Sequence, residues 1–285
     1  MLVELAIGDA YGAGFEYAPP EFVTRHNTLA GYVKNPTHPG LFPGRYTDDT
    51  QMSLAICEHL LSGAPWTAQH LADRFVAAYH RDPRAGYSRR IRTGFAASQT
   101  GAELLATVDA KSDRSGAAMR AGPIGLLPDL TDILRRAEIQ ARLTHDTPDG
   151  IESAQAAALT VHYCHHRIGP TSQLPAWVHD QLRAAGGRVD WTIPWQGPVD
   201  ALGVHSVRAA LTALAAATTL SGLLHACADY TGDVDTVAAI ALAAGACTVD
   251  LHHDPPTVLY QDLENGPYGR DHLTTLDQQL LQPPQ

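Results

Sequence analysis

Apolar residues recur at three- and four-residue spacing along almost the whole chain, while strictly alternating segments are scarce. Met52, Ala55, Ile56 and Leu60 form one such stripe; Leu71, Phe75, Ala78 and Tyr79 a second; Ile133, Leu134 and Ala137 a third; Val237, Ile240, Ala241 and Ala244 a fourth. Start signals agree with this period. Thr47 precedes the first stripe, Thr67 the second, and Asp146 with Thr147-Pro148 opens a further stretch with proline near its first turn. An all-α fold follows, a compact multi-helix bundle of a dozen or so helices whose alanine-rich faces permit close approach. Ile168 to Val199 carries Gly169-Pro170, Pro175, Gly186-Gly187, Pro194 and Gly197-Pro198, which break any long period. We expect one domain over 1–285, with 168–199 an excursion on its surface holding one short helix.

Charge narrows the function. Twenty Lys and Arg against thirty Asp and Glu leave a formal charge of -10, the wrong sign for general nucleic-acid binding or for an anionic membrane. Any anionic ligand must be held by local groups. Cys57, Cys164, Cys227 and Cys247 have no C-x-x-C spacing and lie in helix-like stretches, so they read as buried thiols. The N-terminus has no basic segment before an apolar run, and a cytoplasmic monomer is expected. The weakly polar run from Ala209 to Ala228 is too rich in Ala, Thr and Ser to span a membrane and reads as a buried helix.

Two acidic clusters stand at helix starts: Thr47-Asp48-Asp49-Thr50, and Thr231-Gly232-Asp233-Val234-Asp235-Thr236. Capping would explain one Asp at each start, because a carboxylate accepts from the free N–H groups there and suits the helix dipole. It does not explain four. In extended backbone residues i and i+2 point the same way, which brings Asp233 and Asp235 together, whereas adjacent Asp48 and Asp49 diverge by about 100° on a helix. Oxygen donors without His or Cys select hard cations such as magnesium or manganese.

The clusters, together with Gly8-Asp9-Ala10-Tyr11-Gly12-Ala13 and Glu16, Arg84-Ala85-Gly86-Tyr87-Ser88, Ser115 to Ala121, and Thr144-His145, resemble the ADP-ribosylglycohydrolase family. That group includes the dinitrogenase-reductase-activating glycohydrolase and the ADP-ribosylarginine hydrolases. The chain departs from the usual pattern at Arg114-Ser115-Gly116, where Gly-Asn-Gly is common, and at Thr231-Gly232-Asp233, where Gly-Gly-Asp is.

The resemblance implies an all-α hydrolase that removes ADP-ribose from a modified protein or small acceptor. It implies two Mg2+ ions, with Mn2+ an alternative, held by Thr47, Asp48, Asp49, Asp233, Asp235 and Thr236, and activating water at the anomeric carbon. Glu16 matches a glutamate on a movable loop over the metals, and Gly12, Gly14 and Pro19-Pro20 flank it as such a loop requires. Asp49, Asp235 and Glu16 are the candidate general bases, and the residues alone do not separate them. Ser115, Gly116, Ala117 and Met119 match a loop for pyrophosphate and ribose, His145 a histidine that bonds the same part of the ligand, Tyr87 a wall of the ribose pocket, and Gly232 the turn before the second acidic pair. The Gly116 to Ala121 run followed by Ile124-Gly125-Leu126 is most similar to the arginine-specific branch. Two other readings compete: a silent ADP-ribose-binding or structural relative, and a two-metal phosphoester or pyrophosphate hydrolase.

Overall fold

The computed structural model describes residues 1–281, so the last four residues of the expected domain lie outside the described part. Among the described residues there are fourteen α-helices and no strand, only isolated bridges. Hydroxyl and carboxyl caps start many of them where the sequence signals stand. Thr47 opens α3 (Asp48–Ser62), Thr67 opens α4 (Ala68–Arg81), and Thr147, before Pro148, opens α8 (Pro148–His165), each accepting from a backbone N–H within the first turn.

The axis of the molecule is the pair α1 (Leu2–Ala13) and α12 (Val234–Gly245). All of α12 and all of α1 except Glu4 is buried, so both helices are covered around their whole circumference rather than on one stripe. They touch backbone to backbone. A Cβ at position 12 would lie 2.4 Å from the Asp235 Cα, so only glycine permits this approach. Gly12, expected to flank a movable loop, is therefore a packing residue inside α1. The reason is its face, which meets the first turn of α12 instead of solvent.

Two other expectations change in detail. The Ala209–Ala228 run is two helices, α10 (Gly203–Ala216) and α11 (Leu220–Asp229), because Thr219 turns out of the first and accepts from Gly222 N at 2.9 Å to start the second. No helix of the described residues is long and apolar enough to cross a membrane. The stretch 168–199 carries the eleven-residue α9 (Leu174–Ala184), which buries Leu174, Val178 and Leu182. Beyond it, Glu152 of α8 accepts from Arg188 N, Val189 N and the Trp191 indole N–H at 2.8, 3.0 and 3.1 Å. One buried carboxylate thus fixes an irregular segment whose composition reads as loose, and the segment ends at Val199, beside the second acidic cluster.

Candidate active site and its acidic floor

The start of α3 is organised by Asp9, a fully buried carboxylate midway along α1. Asp9 accepts from Thr47 N at 2.9 Å, Thr47 Oγ1 at 2.8 Å, Thr50 N at 2.9 Å and Thr50 Oγ1 at 2.6 Å. These bonds satisfy N–H groups that the helix start leaves free and lock the direction in which Asp48 and Asp49 leave the chain. Asp48 is closed in from behind. Its N–H donates to Ala85 O at 3.1 Å, and Gly86 (φ +100°) lies so close that a Cβ there would come 1.9 Å from Asp48 Oδ1. Gly86 is needed for both conformation and room. Asp49 Oδ1 is buried with no hydrogen-bond partner.

The start of α12 is organised differently. Gly232, at φ +88°, pairs with Val199 in a short parallel bridge, and Asp233 N donates to Val199 O at 2.9 Å. Asp233 is the cap residue, with its Oδ2 accepting from Ser115 Oγ at 3.1 Å and Ser206 Oγ at 3.4 Å, while Asp235 already lies in the first helical turn. The two converge as expected, but through this turn geometry rather than through an extended strand.

Glu16 completes the floor. Asn35 Nδ2 donates to Ala13 O and Glu16 O at 2.8 and 2.9 Å, and Tyr17 N donates to Gly232 O at 2.9 Å, so the turn after α1 is tied to the second cluster. Carboxylate oxygens of Glu16, Asp233 and Asp235 all lie within 4.8 Å of one another and form a group able to hold a metal ion.

Burial is the largest effect on these acids, and neighbouring carboxylates add to it. It pushes Asp48, Asp49 and Asp235 well above the ordinary carboxyl range. Glu16 is raised to about 7 by burial and then by the charges of Asp233 and Asp9. Burial raises Asp233 to about 6 against the bonds from Ser115 and Ser206. Such a cluster is unfavourable by itself; a divalent cation removes both the repulsion and the unpartnered oxygen of Asp49. The oxygen-only donor set fits a hard cation.

The acids floor a cavity of about 670 Å3, large enough for a nucleotide-sized ligand. Tyr87, Ser115, Gly116, Met119 and His145 line it, with Asp48, Asp49, Asp233, Asp235 and Thr236. Thr47, Ala117 and Gly232 do not line it. The Thr47 hydroxyl is turned to Asp9, the Ala117 carbonyl accepts from Gln140 Nε2 at 2.9 Å, and the Gly232 carbonyl accepts from Tyr17. Exposed Arg89, Arg90, Lys111 and Arg114 also line the cavity and set cations beside its acidic floor. Arg90 is paired with Asp109; among the described residues the other three have no ion-pair partner.

The roles of Asp9, Asn35 and Ser206 emerge only in the fold. Asp9 had a signal, a lone carboxylate in the apolar run Leu5 to Ala10; Ser206 had none, because its meeting with Asp233 spans 27 residues and depends on α10 packing.

Comparisons with known proteins place the fold in a family. A family model described as ADP-ribosylglycohydrolase matches residues 1–284. The Xenopus tropicalis protein named ADP-ribosylhydrolase ARH3 is 35% identical over 126 residues, 41% of this chain and 36% of its own length, so the chain spans about a third of that relative. The Rhodospirillum rubrum ADP-ribosyl-[dinitrogen reductase] glycohydrolase is 28% identical over 253 residues, 85% of this chain and 82% of that protein. A solved structure titled ADP-ribosylglycohydrolase-related protein complex superposes with a TM-score of 0.76 at 25% identity, covering 98% of this chain and 94% of that one. With a match along nearly its whole length, this chain belongs to the ADP-ribosylglycohydrolase family.

Proposed function

We propose that the protein hydrolyses the glycosidic bond between ADP-ribose and a modified acceptor, with arginine-linked ADP-ribose the preferred substrate. The observation that carries this reading is the joining, in one cavity, of a floor of buried carboxyls with unpaired cations on its wall. Such a cavity suits a ligand with a polyol that becomes positive as its bond breaks and a diphosphate that stays negative.

Asp48, Asp49, Asp233, Asp235 and Thr236 would hold two magnesium ions, with Thr47 contributing the hydroxyl oxygen whose proton goes to Asp9. Bound there, the ions would make water a usable nucleophile near neutral pH and orient the ribose hydroxyls. The chain's own groups do the rest. Glu16 sits between the two states of its carboxyl near neutral pH in the metal-free protein, which suits it to take and return a proton. The carboxylate floor favours positive charge developing on the ribose, and Arg89, Lys111 and Arg114 attract the diphosphate.

Incubation with arginine-linked and serine-linked ADP-ribosyl peptides tests the reading. Free ADP-ribose released in magnesium and lost in excess chelator is expected, with the arginine peptide turned over faster. AMP or phosphate as product, or full activity in chelator, would overturn it.

A further inference from the structure

Arg120 lies fully buried in the cavity wall with its guanidinium 4.6 Å over the Phe75 ring. Its Nε donates to Gln140 Oε1 at 2.6 Å, and its Nη2 donates to Gln140 O at 3.0 Å and to Thr144 Oγ1 at 2.8 Å. Gln140 Nε2 in turn donates to Ala117 O at 2.9 Å, so the amide has one orientation that satisfies both sides. A guanidinium has only donors, and Thr144 Oγ1 must therefore accept from it. That leaves the single proton of a buried hydroxyl to be placed. Its other partner is His145 Nδ1, at 2.7 Å. A hydroxyl proton left without an acceptor in the interior costs more than an ordinary hydrogen bond returns, so it points to Nδ1. Nδ1 is then the lone-pair nitrogen, and Nε2 carries the ring proton.

We infer that Arg120 and Thr144 are positioning residues that hold His145 in the tautomer with its proton on Nε2, and so furnish the cavity with one fixed N–H donor. The Cε1–Nε2 edge of the ring lies against Gly116, where a Cβ would come 2.8 Å from Cε1 and 3.1 Å from Nε2. Any side chain at 116 would displace the ring edge. Burial first, then the charges of Arg120 and Arg90, push the His145 imidazole down to about 3, so it stays uncharged while it donates. A donor of this kind recognises a ligand oxygen with free lone pairs, a hydroxyl or phosphate oxygen, and rejects a cationic group. The buried arginine acts on the ring through the threonine.

The ligand arm of the test rests on the ADP-ribose reading of the cavity; the tautomer arm does not. Nitrogen-15 NMR of the ligand-free protein, with His145 assigned among the fifteen histidines by loss of its signals in His145→Gln, reads the tautomer directly. Wild type is expected to show a protonated Nε2 and a bare Nδ1. Thr144→Val should give a mixture of both tautomers and Thr144→Ser should restore the single one. Affinity for ADP-ribose should fall by about tenfold in the valine variant, the loss of one well-placed hydrogen bond, and recover with serine. A role confined to folding would instead lower the melting temperature and leave the tautomer alone. A protonated Nδ1 in wild type, or an unchanged tautomer in a folded Thr144→Val, overturns the inference; the wild-type and serine spectra decide it if the valine variant does not fold. If the tautomers behave as stated but wild type binds no ADP-ribose, the positioning stands and the reading of the cavity fails.

Discussion

The two helix starts that floor the cavity carry the same residue types and are held by different means. At α3 the organising group is a single buried carboxylate, Asp9, which gathers two N–H groups and two hydroxyls from a four-residue stretch. At α12 the work is divided among a glycine turn on Val199 and hydroxyls from Ser115 and Ser206, each on a separate part of the chain. One start depends on one residue; the other depends on the assembly of several elements. Mutations should therefore hurt the first more sharply and the second more gradually.

Asp9→Asn is the most damaging change expected. The amide keeps one acceptor oxygen where four donors converge, and its NH2 group faces donors. Unfolding in urea should show a loss of about 3 kcal/mol or more, the range for breaking a buried network. A loss below about 1 kcal/mol would mean that α3 is held by its own cap and not by α1.

Glu16→Gln keeps the shape of the turn and removes the proton carrier. Turnover should fall about a hundredfold, equivalent to about 2.7 kcal/mol of transition-state stabilisation, with the melting temperature unchanged or higher. Wild-type turnover in saturating magnesium would remove Glu16 from the reaction.

The third test is pH. Glu16 and Asp233 have folded-state values of about 7 and about 6 against ordinary values of 4.5 and 3.8. Below the ordinary values both the folded and unfolded chains are protonated, and no difference arises. Between those values and about pH 7 the folded chain retains protons that the unfolded chain has released. Stability of the chelated protein should therefore fall as pH rises through this window. A melting temperature lower by about 5 °C at pH 8 than at pH 5 is expected in chelator, and a smaller fall with magnesium. A chelated protein more stable at pH 8 than at pH 5 would contradict the raised values.

Ser206→Ala should have the smallest effect, about 0.5–1 kcal/mol in stability and severalfold in magnesium affinity, because Asp233 keeps the Ser115 hydroxyl. An effect as large as that of Asp9→Asn would erase the contrast between the two starts.

The contrast also marks what was legible in the sequence. Helical period, the caps at Thr47, Thr67 and Thr147, and the two acidic clusters are local signals, and each stands where it was expected. What holds the clusters was not legible, because it is built from long-range packing. Ser206 meets Asp233 only after α10 docks, and Val199 meets Gly232 at the end of an irregular segment that Glu152 pins from α8. Gly12 misled for a related reason. A glycine reads the same in a hinge as in a close helix crossing, and only the partner, here Asp235 Cα, tells them apart.

Asp235→Asn separates an acidic floor that serves cations from one that serves helix capping. Asp235 lies in the first turn of α12 and not at its cap, and Asn keeps the shape of the side chain, so the substitution removes one carboxyl from the cluster and little else. Melting curves of wild type and variant, in chelator and in magnesium, give the answer. In chelator the variant should melt at or above wild type, since one unit of buried repulsion is gone. In magnesium the order should reverse, because ion binding stabilises the folded state according to affinity and the variant binds more weakly. A variant that melts well below wild type in chelator, with no further separation in magnesium, would show that Asp235 serves the helix and not the ion.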